Sequence, residues 1–153
     1  MLKNIKNNVD LIRHEGEDID WCAIAIAACE AEKGQHAILA AQYKQEYDDA
    51  LAMETKFSDA IDKLSKNQTR LDEIKGEYQA FQNTINNAWT SAPDLKNYHT
   101  IGEDIQCLDD YSSAIGDAIT DLTAKMAEWT SKKDTAWSNY QTENEAANVT
   151  CTC

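Results

Sequence analysis

The residues of this chain that could do chemistry are three histidines, five cysteines and 27 aspartates and glutamates. The set most like a group of metal ligands is Cys29, Glu32 and His36, which fall on one face of a predicted helix. A structural zinc ion needs four ligands, and di-iron sites in helical bundles use Glu-x-x-His on two helices, whereas Glu32 precedes His36 by four positions. Three candidates therefore do not make a site. We expect no metal and no cofactor.

Catalytic motifs are also missing from the sequence. There is no Gly-x-Ser-x-Gly nucleophile motif, no phosphate-binding loop, no Gly-x-Gly-x-x-Gly and no EF-hand order. His14 and His99 stand without a set of ligands at a recognised spacing. The chain is therefore predicted not to be an enzyme.

The cysteines stand at positions 22, 29, 107, 151 and 153. Their odd number and scattered spacing do not resemble a disulfide framework, so reduced thiols are the expectation. Cys22 and Cys29 are seven residues apart on one helix face, where they are typical small core residues or, in an oxidising compartment, could cross-link to a matching helix. Cys151 and Cys153 lie in a predicted flexible tail, where their thiols would be open to oxidation.

The clearest structural signal is a run of large apolar residues separated alternately by four and three positions. This heptad spacing predicts one long helix with a single apolar edge, which we call the seam. Ser112, Lys133 and Ala136 are the small or polar residues within it. The large members are Ile101, Ile105, Leu108, Ile115, Ile119, Leu122, Met126, Trp129 and Tyr140.

A second apolar stripe precedes this helix, and Pro93 separates the two. The expected fold is all-α, an elongated antiparallel helical hairpin or coiled-coil bundle with a short N-terminal helix, in a single domain. Thr69 with Asp72 could cap a new helix; we favour a continuous helix with a phase slip near Leu71, Ile74 and Tyr78. The predicted segments are an N-terminal arm (1–16), a long helix (18–89) for which a break near 65–69 is the alternative, a connector (90–102), a long helix (103–145) and a flexible tail (146–153).

Charge and hydropathy limit the partners. The net charge is −13, which argues against nucleic-acid binding, since phosphate contacts need clustered Lys and Arg. No apolar run approaches 18 residues, so membrane insertion is not expected. The N-terminus lacks the apolar core of a secretory signal peptide, which leaves a cytoplasmic protein or one exported without such a signal.

Residues 21–29 are apolar on every side, so an ordinary amphipathic helix would leave part of this segment in water. We expect the N-terminal arm or another subunit to cover it. Trp137 lies one position off the seam and is a further candidate for a partner-facing aromatic residue. The predicted partner-binding residues are Trp21, Cys22, Ile24, Ile26, Cys29 and Trp137.

The residues Asn87-Ala88-Trp89-Thr90-Ser91, which lie between two predicted helices, resemble the tryptophan-containing break of the small secreted WXG100 proteins and of their helical partners. The resemblance implies a secreted helical hairpin or an export partner. It departs from the family where Ser91 replaces glycine and where no acidic residue follows Tyr140 by four positions.

Three functions therefore stand as hypotheses. The first is a non-catalytic helical interaction protein, an adaptor or assembly subunit, that packs against a helical partner or against copies of itself. The second is the WXG100-like secreted hairpin or export partner. The third is an acidic inhibitor that imitates nucleic acid, which predicts that four aspartates lie along one strip: Asp109, Asp110, Asp117 and Asp121.

Overall fold

A computed structural model describes residues 20–88 and 98–153, with side chains for residues 20–86 and 101–153. Helix α1 runs from Trp21–Ala88 and helix α2 from Tyr98–Ala147. The two helices pack against each other with opposite directions, which confirms the predicted all-α helical hairpin. The predicted N-terminal arm and short helix, His14, and the Trp89 and Pro93 segment lie outside the described residues.

Helix α1 begins where the sequence supplies a capping residue. Asp20 Oδ1 accepts hydrogen bonds from the backbone N–H groups of Cys22 at 3.1 Å and Ala23 at 3.0 Å. These donors have no partner inside the first turn, so the carboxylate satisfies groups that would otherwise need water. Asp20 is therefore the N-cap residue of α1.

The polar residues 65–69 do not interrupt α1. Thr69 Oγ1 donates to the carbonyl of Ser65 at 3.0 Å, one turn back, instead of capping a new helix. Lys66 Nζ and Asp62 Oδ2 are 2.6 Å apart, a pairing four residues apart that supports a continuous helix. No Gly or Pro occurs in this segment, so nothing forces the chain to turn.

Helix α2 is longer at both ends than the sequence indicates. It begins at Tyr98, ahead of the predicted start at 103, so Thr100 lies inside the helix and cannot cap it. It ends at Ala147, where the N–H of Asn148 donates to the carbonyl of Glu145 at 3.1 Å. The Asn148 side-chain amide also donates to the carbonyl of Asn144 at 2.7 Å and closes the last turn.

The seam predicted for α2 is the face that packs. Every seam position from Ile101 to Tyr140 is at least half-buried, and the positions between them are mostly exposed. A single layer of two helices leaves each side chain open on one flank, so no large side chain is fully buried in the described part of the chain. The residues that are buried are small: Ala40, Ala50 and Ala136.

The seam of α1 keeps the same spacing without the predicted phase slip. Its half-buried positions continue through Gln68 and Lys75, two polar residues that a count of apolar residues passes over. Phe81, which follows Tyr78 at a helical spacing of three and would fit the predicted slip, is instead 57% exposed. The apparent slip arose because polar residues occupy true seam positions, while an apolar residue beside them suggested a different phase.

The chain divides into two compact units. The terminal unit combines Met1–Lys44, described from residue 20, with Ser138–Cys153, and the central unit is Gln45–Trp137. In each, cross-helix contacts pair rising numbers in α1 with falling numbers in α2. Glu54 contacts Lys133 and Gln68 contacts Ser112 in the central unit, while His36 contacts Glu143 in the terminal unit.

Candidate interaction surface

Two disulfides join the start of α1 to the end of the chain. Cys22 bonds to Cys153 and Cys29 to Cys151, with Cα atoms 5.6 and 5.9 Å apart. Cys22 and Cys29 are seven residues apart in α1, about 10 Å along the helix axis, and Cys151 and Cys153 are two residues apart, about 7 Å in extended chain. These lengths are close enough for both pairs to bond when the tail runs antiparallel to α1. The tail therefore lies along the face of α1 that carries the seam.

These disulfides correct two predictions. The four thiols are not reduced, and residues 146–153 are not a free tail, because α2 continues to Ala147 and both tail cysteines are bonded. The odd count misled because Cys107 is free and exposed, which leaves an even set. Sequence separations of 131 and 122 residues give no local signal for the pairing.

Two of the three residues that the sequence suggested as metal ligands, Cys29 and His36, make structural contacts instead. Cys29 is in a disulfide, and His36 Nδ1 lies 2.5 Å from Glu143 Oε2 across the helix pair. Among the residues that the structure describes, no three His, Cys, Asp or Glu side chains gather into a group able to hold a metal ion. The possible zinc face therefore has no free thiolate to offer.

Five of the six predicted partner-binding residues are in α1, where they lie on two sides of the helix. Ile26, which is 37% exposed, lies on the side of Cys22 and Cys29, beside the bonded tail. Trp21 and Ile24 lie on the other side and are 71% and 52% exposed. The two bonded cysteines are thus occupied within the chain, and Trp21 and Ile24 are the most exposed large apolar residues of the set.

Trp137 belongs to the central unit and contacts an aromatic neighbour. Its ring centroid lies 5.0 Å from that of Tyr47, with the planes tilted by 45°. This separation falls in the range of favourable aromatic pairs. Trp137 remains 39% exposed, so part of its ring packs in the hairpin and part faces solvent.

The apolar side of α1 extends further than the sequence interpretation proposed. Ile38 is 62% exposed and stands fourteen residues, two heptads, after Ile24. We define the outer stripe as the exposed positions from Trp21 to Ile38 that follow one another at spacings of three and four residues. At 100° per residue they lie about 150° around the helix from the seam. The outer stripe is Trp21, Ile24, Ala28, Ala31, Gln35 and Ile38.

Among the residues that the structure describes, none covers the outer stripe. A Cβ placed at Gly34, beside the stripe, would meet no atom within 4 Å. All of the residues 34, 35, 37, 38 and 39 are exposed, and none of the six stripe residues carries a charge. Exposed apolar surface of this kind on a protein with net charge −13 is typical of an interaction site.

The central unit contains a charged contact within its seam. Lys133 Nζ donates to Glu54 Oε2 at 2.6 Å, and Thr130 Oγ1 donates to Glu54 Oε1 at 2.7 Å. The hydrogen bond from Lys133, followed by that from Thr130, holds the pKa of Glu54 below its ordinary value of 4.5. The same contact with Glu54 raises the pKa of Lys133 above 10.5. Both groups are therefore charged near neutral pH.

Three further polar contacts lie between the helices of the central unit. Gln68 Nε2 donates to the Ser112 carbonyl at 3.1 Å, and Ser112 Oγ donates to Asp72 Oδ1 at 3.2 Å. Lys75 pairs with Asp109. Because these polar residues meet polar partners on the other helix, a shift of one heptad would separate them, so the contacts favour the observed register.

The four aspartates of the mimic hypothesis do not share one strip. Asp109 is half-buried and paired with Lys75, whereas Asp110, Asp117 and Asp121 are exposed along the side of α2 away from the seam. Their spacings of seven and four residues correspond to about 10 and 6 Å along the helix. DNA carries one phosphate per about 1.7 Å, so the strip is several times less dense in charge.

A shallow groove of about 190 Å³ lies beside Cys107 and is lined by two exposed tyrosines, Tyr78 and Tyr111. Ligand pockets usually occupy about 300 to 1,000 Å³ and enclose most of their ligand.

Neither helix described in residues 20–88 and 98–153 has an apolar stretch long enough to cross a bilayer.

Comparison with known proteins gives no further information. No family model, no curated protein and no solved structure matches the chain.

Proposed function

We propose that this chain is a non-catalytic helical interaction protein that binds another helix through the outer stripe of α1. The observation that carries the proposal is the exposure of Trp21, Ile24 and Ile38 on a helix whose opposite side is held by two disulfides. A helix that is already ordered loses little conformational freedom when a partner binds it. The disulfides thus support binding by presenting the stripe on a pre-formed surface.

Site-specific photocrosslinking tests this function directly. A photoreactive residue in place of Ile38 should capture a protein in the source cells, because the stripe contacts its partner there. The matched control replaces Lys56, an exposed residue of the same helix away from the outer stripe. Capture at Ile38 and not at Lys56 supports the proposal. Equal capture at both positions would mean that the stripe has no special role.

We propose in addition that the protein acts in an oxidising compartment. Disulfides persist outside the reducing cytosol, and two of them are present here. Of the two locations that the sequence leaves open, export is therefore favoured, as is a secreted hairpin of the WXG100-like kind. Alkylation of thiols in unbroken cells tests the location: one reactive cysteine, Cys107, supports export, and five contradict it.

The salt dependence of binding distinguishes these functions from the acidic mimic. Binding through Trp21, Ile24 and Ile38 buries apolar surface, so raising the salt concentration should leave its affinity nearly unchanged or increased. A mimic bound to a basic enzyme should lose affinity steeply, because each screened carboxylate contributes less.

A further inference from the structure

The outer stripe has a two-fold pattern along its own length, which indicates the kind of partner that it fits. Ile24 and Ile38 are each seven residues from Ala31. If a second copy of α1 is laid antiparallel with the two Ala31 residues facing each other, Ile24 of one copy meets Ile38 of the other.

The residues beside this centre allow two helices to approach closely. Gly34 is three positions from Ala31 on one side and Ala28 is three positions from it on the other, so small residues flank the centre of the contact. Nothing within 4 Å occupies the space above Gly34. Large side chains at the ends and small ones at the centre make the stripe complementary to itself, as a two-fold interface requires.

The distribution of charge favours this surface for self-association over other parts of the chain. The chain carries a net charge of −13, so most pairings of two copies would bring carboxylates together. The stripe itself is uncharged. At its edge, Glu32 of each copy would lie near Glu32 of the other, and this repulsion would oppose the contact.

We propose that the outer stripe binds a second copy of this chain and forms an antiparallel, two-fold symmetric dimer centred on Ala31. The inference rests on the proposed interaction function and names its partner. The stripe spans residues 21–38, so it is about 27 Å long and about 11 Å wide, which gives about 300 Å² in projection. Standard interfaces bury about 800 Å² per partner, so the dimer is weak and reversible, with a dissociation constant in the micromolar range.

Sedimentation velocity of the full oxidised chain, from about 5 to about 500 µM, tests the proposal. The expected result is a monomer that becomes a dimer as concentration rises. Ile24→Lys and Ile38→Lys should each weaken the dimer at least tenfold, because both place a charge in the contact. Phe81→Lys is the matched control, since Phe81 is similarly exposed but lies in the central unit. Circular dichroism checks that each variant remains helical.

The repulsion between the two Glu32 residues gives an independent signature. Glu32→Gln should tighten the dimer several-fold, and so should a change from about 20 mM to about 500 mM salt, because screening removes like-charge repulsion. A dimer that weakens with salt would overturn the assignment. So would a dimer that Ile24→Lys and Phe81→Lys weaken equally, because its contact would then lie elsewhere.

A chain that stays monomeric at all concentrations would also overturn the dimer. Binding of a hydrophobic fluorescent dye then shows whether the stripe is open to solvent or covered. If the dye binds the wild-type chain and not Ile24→Lys, the stripe is open, and the proposed function survives with a different helical partner. If the dye does not distinguish the two chains, the stripe is covered, for example by residues 1–19. The dimer and the proposed interaction surface then both fail.

Discussion

The terminal and central units differ in how their two helices are held together. In the described part of the chain, both hold two antiparallel helices together without a third layer to cover them. The central unit uses a regular seam with polar contacts inside it, such as that between Glu54 and Lys133. In the terminal unit α2 ends at Ala147, and the tail that follows it is joined covalently to α1 through Cys22–Cys153 and Cys29–Cys151.

This difference shows why the terminal unit can present apolar residues to solvent. Within the central unit the large apolar side chains mostly face the seam, whereas Trp21, Ile24 and Ile38 face away from it. A helix normally depends on burying its apolar face to stay folded. Covalent bonds to the tail reduce that dependence, so the apolar residues on the outer side can stay exposed.

The largest expected effect comes from removing both disulfides. A bond that closes a loop of about 120 residues stabilises by about 5 kcal/mol in the chain-entropy account, and a second, smaller loop adds about 3 kcal/mol. Replacing Cys22, Cys29, Cys151 and Cys153 with Ser should therefore lower the free energy of unfolding by at least several kcal/mol. Urea unfolding followed by circular dichroism measures the change.

Hydrogen exchange locates the same effect in the chain. In the four-serine variant, backbone amides of residues 21–44 and 138–147 should exchange much faster, and those near Ile119 should change less. The matched control is Cys107→Ser, which removes the free thiol and should leave both units unchanged. Equal loss of protection in both units would show that the comparison between them is wrong.

A smaller effect is expected from alanine at two helical glycines, one in each unit. A Cβ at Gly34 or at Gly76 meets nothing within 4 Å, so neither substitution creates a clash. Alanine is favoured over glycine inside a helix by about 1 kcal/mol, and each variant should gain about that much in thermal unfolding. A gain at Gly76 alone would mean that the start of α1 does not unfold together with the rest of the chain.

Breaking the Glu54 and Lys133 contact should have a modest effect that depends on how it is done. Lys133→Leu leaves Glu54 half-buried without its cation and should lower the melting temperature. The double variant Glu54→Leu with Lys133→Leu should be more stable than either single variant, because leucine suits both seam positions. A double variant that is the least stable of the three would mean that the charges stabilise the seam more than packing does.

The smallest effect is the pH dependence of the same contact. The pKa of Glu54 is lowered on folding, so its stabilisation is fully present above pH 4.5 and is lost as the pH falls through the lowered value. The pKa of Lys133 is raised, so its stabilisation is present below pH 10.5 and is lost at higher pH. The difference in melting temperature between wild type and the double leucine variant should therefore be constant between these limits and change outside them.

The sequence was sufficient to predict the fold class because the seam of α2 consists almost entirely of large apolar residues at heptad spacing. The register of α1 was harder to predict, since Gln68 and Lys75 occupy seam positions and their partners lie on the other helix. A polar residue is recognised as part of a seam only when the side chain opposite it is known.

The candidate site could be predicted in part. Residues 21–29 stood out because an apolar segment exceeds what one helix face can bury, and this drew attention to Trp21 and Ile24. Ile38 was missed, although its distance of two heptads from Ile24 is visible in the sequence. The disulfides could not be predicted, because pairing between residues more than a hundred positions apart depends on the register of the folded helices.

Mass spectrometry of peptides from the unreduced protein, isolated from its source, tests the central claim most directly. The account predicts cross-linked peptides joining Cys22 to Cys153 and Cys29 to Cys151, with Cys107 as the single free thiol. Five free thiols, or a pairing that includes Cys107, would contradict the structure of the terminal unit and remove the reason for its exposed outer stripe.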